Sequence, residues 1–151
     1  MIRVQREDFD PGAEMARVTA DRTDIGGLAC FVGLVRDFQD VRTVSALTLE
    51  HYPGMTEKQL AALEAEARQR WDLQDVVLIH RFGRMEPGEK IVLVIAASAH
   101  RQAALEACQF LIDWLKTKAP FWKLEDTDQG REWVEARAAD ETQAARWNQR
   151  T

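Results

Sequence analysis

At 151 residues, with 46% apolar and 30% charged residues, the chain is sized for one globular domain, 1–151, that builds its core without metal or disulfide staples. A formal net charge of -5 argues against bulk electrostatic binding to nucleic acid or an anionic membrane, so any anion site must be a local cluster of cations. Two distant cysteines, Cys30 and Cys108, make no disulfide framework, and "MIRVQREDFDPG" at the start holds no apolar signal core; a cytoplasmic protein is expected.

"IRVQ" reads as a short strand. Asp10 then offers an N-cap and Pro11 a first helical position, so a short helix follows. After Gly26 and Gly27, "LACFVGLVR" is a strand ending at Arg36. "DFQDVRT" reads as a polar loop, and "VSALTLEHY" alternates as a half-buried strand should. "PGMTEKQ" predicts a turn and a capping box from Thr56 to Gln59, opening a helix over 57–70 with Leu60, Leu63, Ala67 and Trp71 on one face.

"DVVLIHRF" and "KIVLVIAASA" are β-branched runs on either side of Pro87-Gly88, which predicts a hairpin. From His100 the apolar period becomes helical for about four turns, and Pro120 cannot continue it. "REWVEAR" fits a strand and "ADETQAARW" a terminal helix. The pattern is α+β: strands largely joined by hairpins, with helices packed on the sheet.

Cations gather where regular elements end: Arg36, His100-Arg101, Lys116/Lys118/Lys123 and Arg137. Lys116 and Lys118 suit a last helical turn, where cations complement the dipole. His100 and Arg101 stand at a helix start, where cations oppose the dipole but free N–H groups invite an anion. Phe121-Trp122 reads as core or interface. The cysteines read as buried, unactivated thiols, and the three histidines lack metal-ligand spacing. No phosphate-loop, dinucleotide or hydrolase motif is present. The residues alone thus point to an α+β domain with a cationic anion site.

"TLEHYPGMTEK", "VVLIHRFG", "SAHR", "LKTKAPFWK" and "WVEAR", in this order, resemble the large, catalytic subunits of molybdopterin synthases. That resemblance implies an α/β hammerhead fold with a largely antiparallel sheet. It also implies an enzyme that turns a cyclic pyranopterin monophosphate into the molybdopterin dithiolene. The sulfur would come from a thiocarboxylated Gly-Gly tail on a small ubiquitin-like subunit, with a homodimer at the core of a heterotetramer and no cofactor or metal. Carried over by position, Lys116 and Lys123 are the catalytic residues, and Arg36, His100, Arg101, Lys116, Lys123, Glu125 and Arg137 bind substrate. Leu34 and Leu124 depart from the family's usual polar or basic residues. Two rival readings keep the same residues: a non-enzymatic adaptor for a Gly-Gly tail, and a domain that binds a phosphate ligand.

Overall fold

A computed structural model describes residues 1–39, 42–118, 121–134 and 138–148. The first sheet runs in the order β1 (Ile2–Gln5), β5 (Asp75–Arg81), β7 (Lys90–Ser98), β2 (Gly27–Leu34). Only the β1–β5 pair is parallel there; β5–β7 and β7–β2 are antiparallel. The second sheet joins β3 (Phe38–Gln39), β4 (Arg42–His51), β8 (Phe121–Thr127) and β9 (Gly130–Val134), with β6 (Gly83–Met85) paired to β4. Four α-helices, α1 (Pro11–Thr19), α2 (Met55–Arg70), α3 (Arg101–Lys118) and α4 (Ala138–Ala145), and a short 3-10 helix, Arg146–Asn148, complete the described elements. The α+β expectation holds, with two sheets where one was read.

The first sheet is covered on both faces because its central strands are apolar on both sides. Val76 and Leu78 of β5 join Val92 and Val94 of β7 under α2 and α3. Val77 and Ile79 join Leu93 and Ile95 under α1. A third cluster, with Leu47, Leu49 and Met85, packs the second sheet. The Asp10 carboxylate caps α1 by accepting the Ala13 N–H at 3.2 Å, as its sequence predicts.

Several expectations need correction. The polar "loop" 37–43 holds β3 and the start of β4, and β2 stops at Leu34, two residues before Arg36. The N-cap of α2 is Gly54, whose N–H donates to the Glu57 carboxylate at 2.6 Å. Gly54 sits at φ 84, a left-handed value that a side chain would resist. Thr56 lies instead inside the helix, buried, with its hydroxyl donating to the Tyr52 carbonyl. The β5–β7 hairpin is real, but its connection sends β6 across to the other sheet. Strand β8 was not foreseen. The expected last strand is described only to Val134, and Arg137 lies outside the described residues, as do Ala119 and Pro120.

Candidate functional site

The site is built where the last turn of α3 meets β8. Leu111 and Leu115 hold α3 to the sheet, which leaves Lys116 exposed on its last turn. On β8, alternation places Phe121, Lys123 and Glu125 on one face, beside His51, Leu49 and Leu47 of β4. Lys123 is half-buried there, and Glu125 is only 1% exposed.

His80, the last inward residue on the helix-covered face of β5, is the floor that joins these elements. Its ring stacks on Phe121 with centroids 3.8 Å apart, and His51 lies 6.1 Å from the same phenyl ring. His80 Nδ1 is 2.8 Å from the Arg81 carbonyl oxygen. A carbonyl only accepts, so Nδ1 carries the proton and Nε2 is the bare nitrogen. Burial pushes the imidazole down to about 3, and the charges of Lys123, Lys116 and His51 push the same way, against the Arg81 carbonyl. Both lysines therefore act on one buried ring that stays neutral.

Glu125 adds a second irregularity. Neither of its carboxyl oxygens has a hydrogen-bond partner, although both are buried. A buried polar group left without partners costs a few kcal/mol, so this position is built to receive a donor. Together the residues offer two ammonium groups, a neutral imidazole and a buried acceptor. That set can hold an anionic, N–H-bearing ligand and stabilise charge developing on an oxygen.

The structure brings Lys116 and Lys123 together beside His80, with Glu125 two residues further along the same face of β8. Arg36 is exposed just beyond β2. His100 and Arg101 are exposed at the far end of α3, about 24 Å along the axis from Lys116 at ~1.5 Å per residue. One small ligand cannot touch both ends. His80 and Phe121 were missed as site residues. The available signal was a histidine closing the apolar run "VVLI", a polar group on a face that should be core.

The thiols are poor nucleophiles. Cys108 is buried as expected, and burial, with a smaller push from Cys30, raises it to about 12; Cys30, expected to be buried, is exposed, although partial desolvation still raises its thiol.

The family model described as "MoaE protein" matches residues 4–118. The chain is 56% identical over 148 residues to the molybdopterin synthase catalytic subunit of Pseudomonas aeruginosa, covering 98% of this chain and 99% of that one. It aligns with the structure of a molybdopterin biosynthesis MoaE protein from Burkholderia ambifaria at TM-score 0.84 and 50% identity, covering 99% and 98% of the two chains. For molybdopterin synthase from Staphylococcus aureus the TM-score is 0.79 at 27% identity, covering 87% of this chain and 95% of that one.

Proposed function

This chain belongs to the MoaE family, and from that premise we propose that it is the catalytic subunit of a molybdopterin synthase. Its substrate is a cyclic pyranopterin monophosphate, and its sulfur arrives as a thiocarboxylate on the Gly-Gly tail of a small ubiquitin-like subunit. The observation that carries this reading is the convergence of Lys116 and Lys123 on His80, beside the partnerless Glu125. The two free thiols suit the reducing cytoplasm, where we place the reaction.

The chemistry follows from the charges. The thiocarboxylate sulfur attacks an oxygen-bearing carbon of the pyranopterin; a C–S bond forms as the C–O bond breaks, the departing oxygen takes up a proton or remains on its phosphate, and substrate is linked to tail as a thioester. Water then adds to the acyl carbon, the acyl C–S bond breaks, and the tail leaves as a carboxylate with the sulfur retained on the substrate. A second round supplies the second sulfur. Negative charge grows on the acyl oxygen as water adds, and a fixed ammonium beside it lowers that barrier. We assign this to Lys116, with Lys123 in support. No thiol of this chain is needed, in keeping with the raised Cys30 and Cys108.

Glu125 suits the ring of the substrate. A pterin presents adjacent N–H donors on its pyrimidine edge, and two free carboxyl oxygens match them as a pair. The phosphate then falls to the arginines and to His100. Because His100 and Arg101 lie about 24 Å from Lys116, these phosphate ligands come from a second copy, and each active site is composite.

Reconstitution tests the reading. The protein, a thiocarboxylated small subunit and the pyranopterin should together yield dithiolene product. Tail binding without product would leave only an adaptor.

A further inference from the structure

We infer that His51 is the general base that takes a proton from the water hydrolysing the acyl link to the tail, and that Thr56 positions it. The inference rests on the synthase reading above and supplies the base that its hydrolysis step lacks.

A water that adds to an acyl carbon must lose a proton, and a placed base contributes about 10²–10⁴-fold to such a step. Few groups at the site can serve. As ammonium groups, Lys116 and Lys123 only donate. The His80 imidazole, pushed down to about 3, holds a proton too weakly to draw one from water, and the residue is only 6% exposed. Glu125 is more deeply buried still and faces the substrate ring. The Cys30 and Cys108 thiols are both raised, so they keep their protons. His51 is left, and it is half-buried.

Its place on the sheet suits the task. β4 ends at His51, on the face that alternation also gives to Leu49 and Leu47. Phe121 stands directly opposite His51 on β8, and Lys123 stands opposite Leu49, so His51 and Lys123 are diagonal neighbours on one face. Such positions lie ~7–8 Å apart. A base and an ammonium that serve the two oxygens of one acyl carbon, each ~3 Å from its own oxygen, stand roughly 6–7 Å apart. Strand geometry therefore lets both groups reach one reacting carbon. Phe82 packs against the imidazole, with ring centroids 4.3 Å apart, which limits its tilt.

The hydrogen bonds select the tautomer. The Thr56 hydroxyl donates to the Tyr52 carbonyl at 2.9 Å, which uses its single proton. His51 Nδ1 lies 3.2 Å from the same Oγ, so the Nδ1–H donates there. The bare nitrogen of the neutral ring is then Nε2, the one free to accept from water. A base oriented by a third group is the recurrent arrangement for activating a nucleophile. Thr56 is fully buried in the first turn of α2, which anchors the chain of hydrogen bonds to a helix.

The step balances. As the water oxygen bonds to the acyl carbon, one O–H bond breaks and its proton goes to Nε2. The imidazolium forms together with the acyl oxyanion, so the site gains no net charge. When the acyl C–S bond breaks, the imidazolium returns the proton to the departing sulfur. The tail leaves as a carboxylic acid that ionises in solvent.

The test is single-turnover reconstitution, quenched in acid, with mass spectrometry of the small subunit. Wild type should release the tail as a free carboxylate alongside product. His51→Gln keeps a polar side chain without a base. Formation of the C–S bond should be nearly unchanged in it, release should slow ~10²-fold or more, and the small subunit should accumulate one pterin heavier. Thr56→Val should accumulate the same adduct, whereas Thr56→Ser, which keeps the hydroxyl, should clear it. A packing role alone would rank these two the other way, because Val keeps the shape of Thr. A folded His51→Gln that never accumulates the adduct overturns the inference, and so does equal behaviour of Thr56→Val and Thr56→Ser. The Thr56 pair decides if circular dichroism shows His51→Gln unfolded. An active wild type whose variants fail these tests keeps its function and loses this base; a wild type that makes no product loses both.

Discussion

Burial keeps the His80 imidazole neutral down to about pH 3, so it lies beside Lys116 and Lys123 without adding to their charge. This has a consequence for stability. His80 titrates near 6.5 when unfolded and about 3 when folded, so between those values the unfolded chain binds a proton that the native chain does not. Its contribution is complete above pH 6.5 and is lost as the pH falls, reaching about 2 kcal/mol by pH 5. Urea midpoints at pH 7 and pH 5 should therefore differ more for wild type than for His80→Gln; equal differences would refute the assignment. Lys116 is tested by turnover. Lys116→Ala should lower it by ~10²-fold or more with partner affinity nearly unchanged, because its interaction strengthens as charge develops. Lys116→Arg should rescue poorly, since a guanidinium differs in shape and cannot give up its proton. Full activity in the Arg variant would reduce Lys116 to a generic positive charge. The lysines were legible in sequence because they crowd a helix end, whereas the His80 role was hidden: its partners are 36 and 43 positions away in the chain.

Elements differ in how openly their sequences declare them. β5, β7 and α3 carry long runs of one period and were read with only small errors at their ends. β3 and β6 are too short to show any period. β8 was hidden because its inward face presents Phe121, Lys123 and Glu125, and two charged residues of the candidate site break the apolar alternation that marks a strand. The docking of the C-terminal segment on α3 is tested at this scale. The Trp147 indole N–H donates to buried Asp113 at 2.7 Å, and the Trp114 indole N–H to the Ala144 carbonyl at 3.1 Å. Trp147→Phe keeps a ring there but leaves an Asp113 oxygen without its donor, at a cost of about 1–3 kcal/mol in urea unfolding. A variant as stable as wild type would mean that water replaces the indole.

For the whole molecule, the decisive length is that of α3. Its apolar period predicted a helix from His100, and the structure makes it one continuous element over Arg101–Lys118. A separation of about 24 Å between His100 and Lys116 was therefore already implicit in the sequence. If each site takes Lys116 from one chain and His100 from its two-fold mate, two dead variants should complement one another. Pair a His100→Ala chain with a Lys116→Ala chain. One site then carries both lesions, while the other takes intact Lys116 from the first chain and intact His100 from the second. Each homodimer of either variant has a lesion in both sites and should be nearly inactive. Isolated mixed dimers should recover towards half of wild-type turnover, with the remaining site at full rate. Mixed dimers as inactive as their parents would place each site within a single chain and refute the composite site.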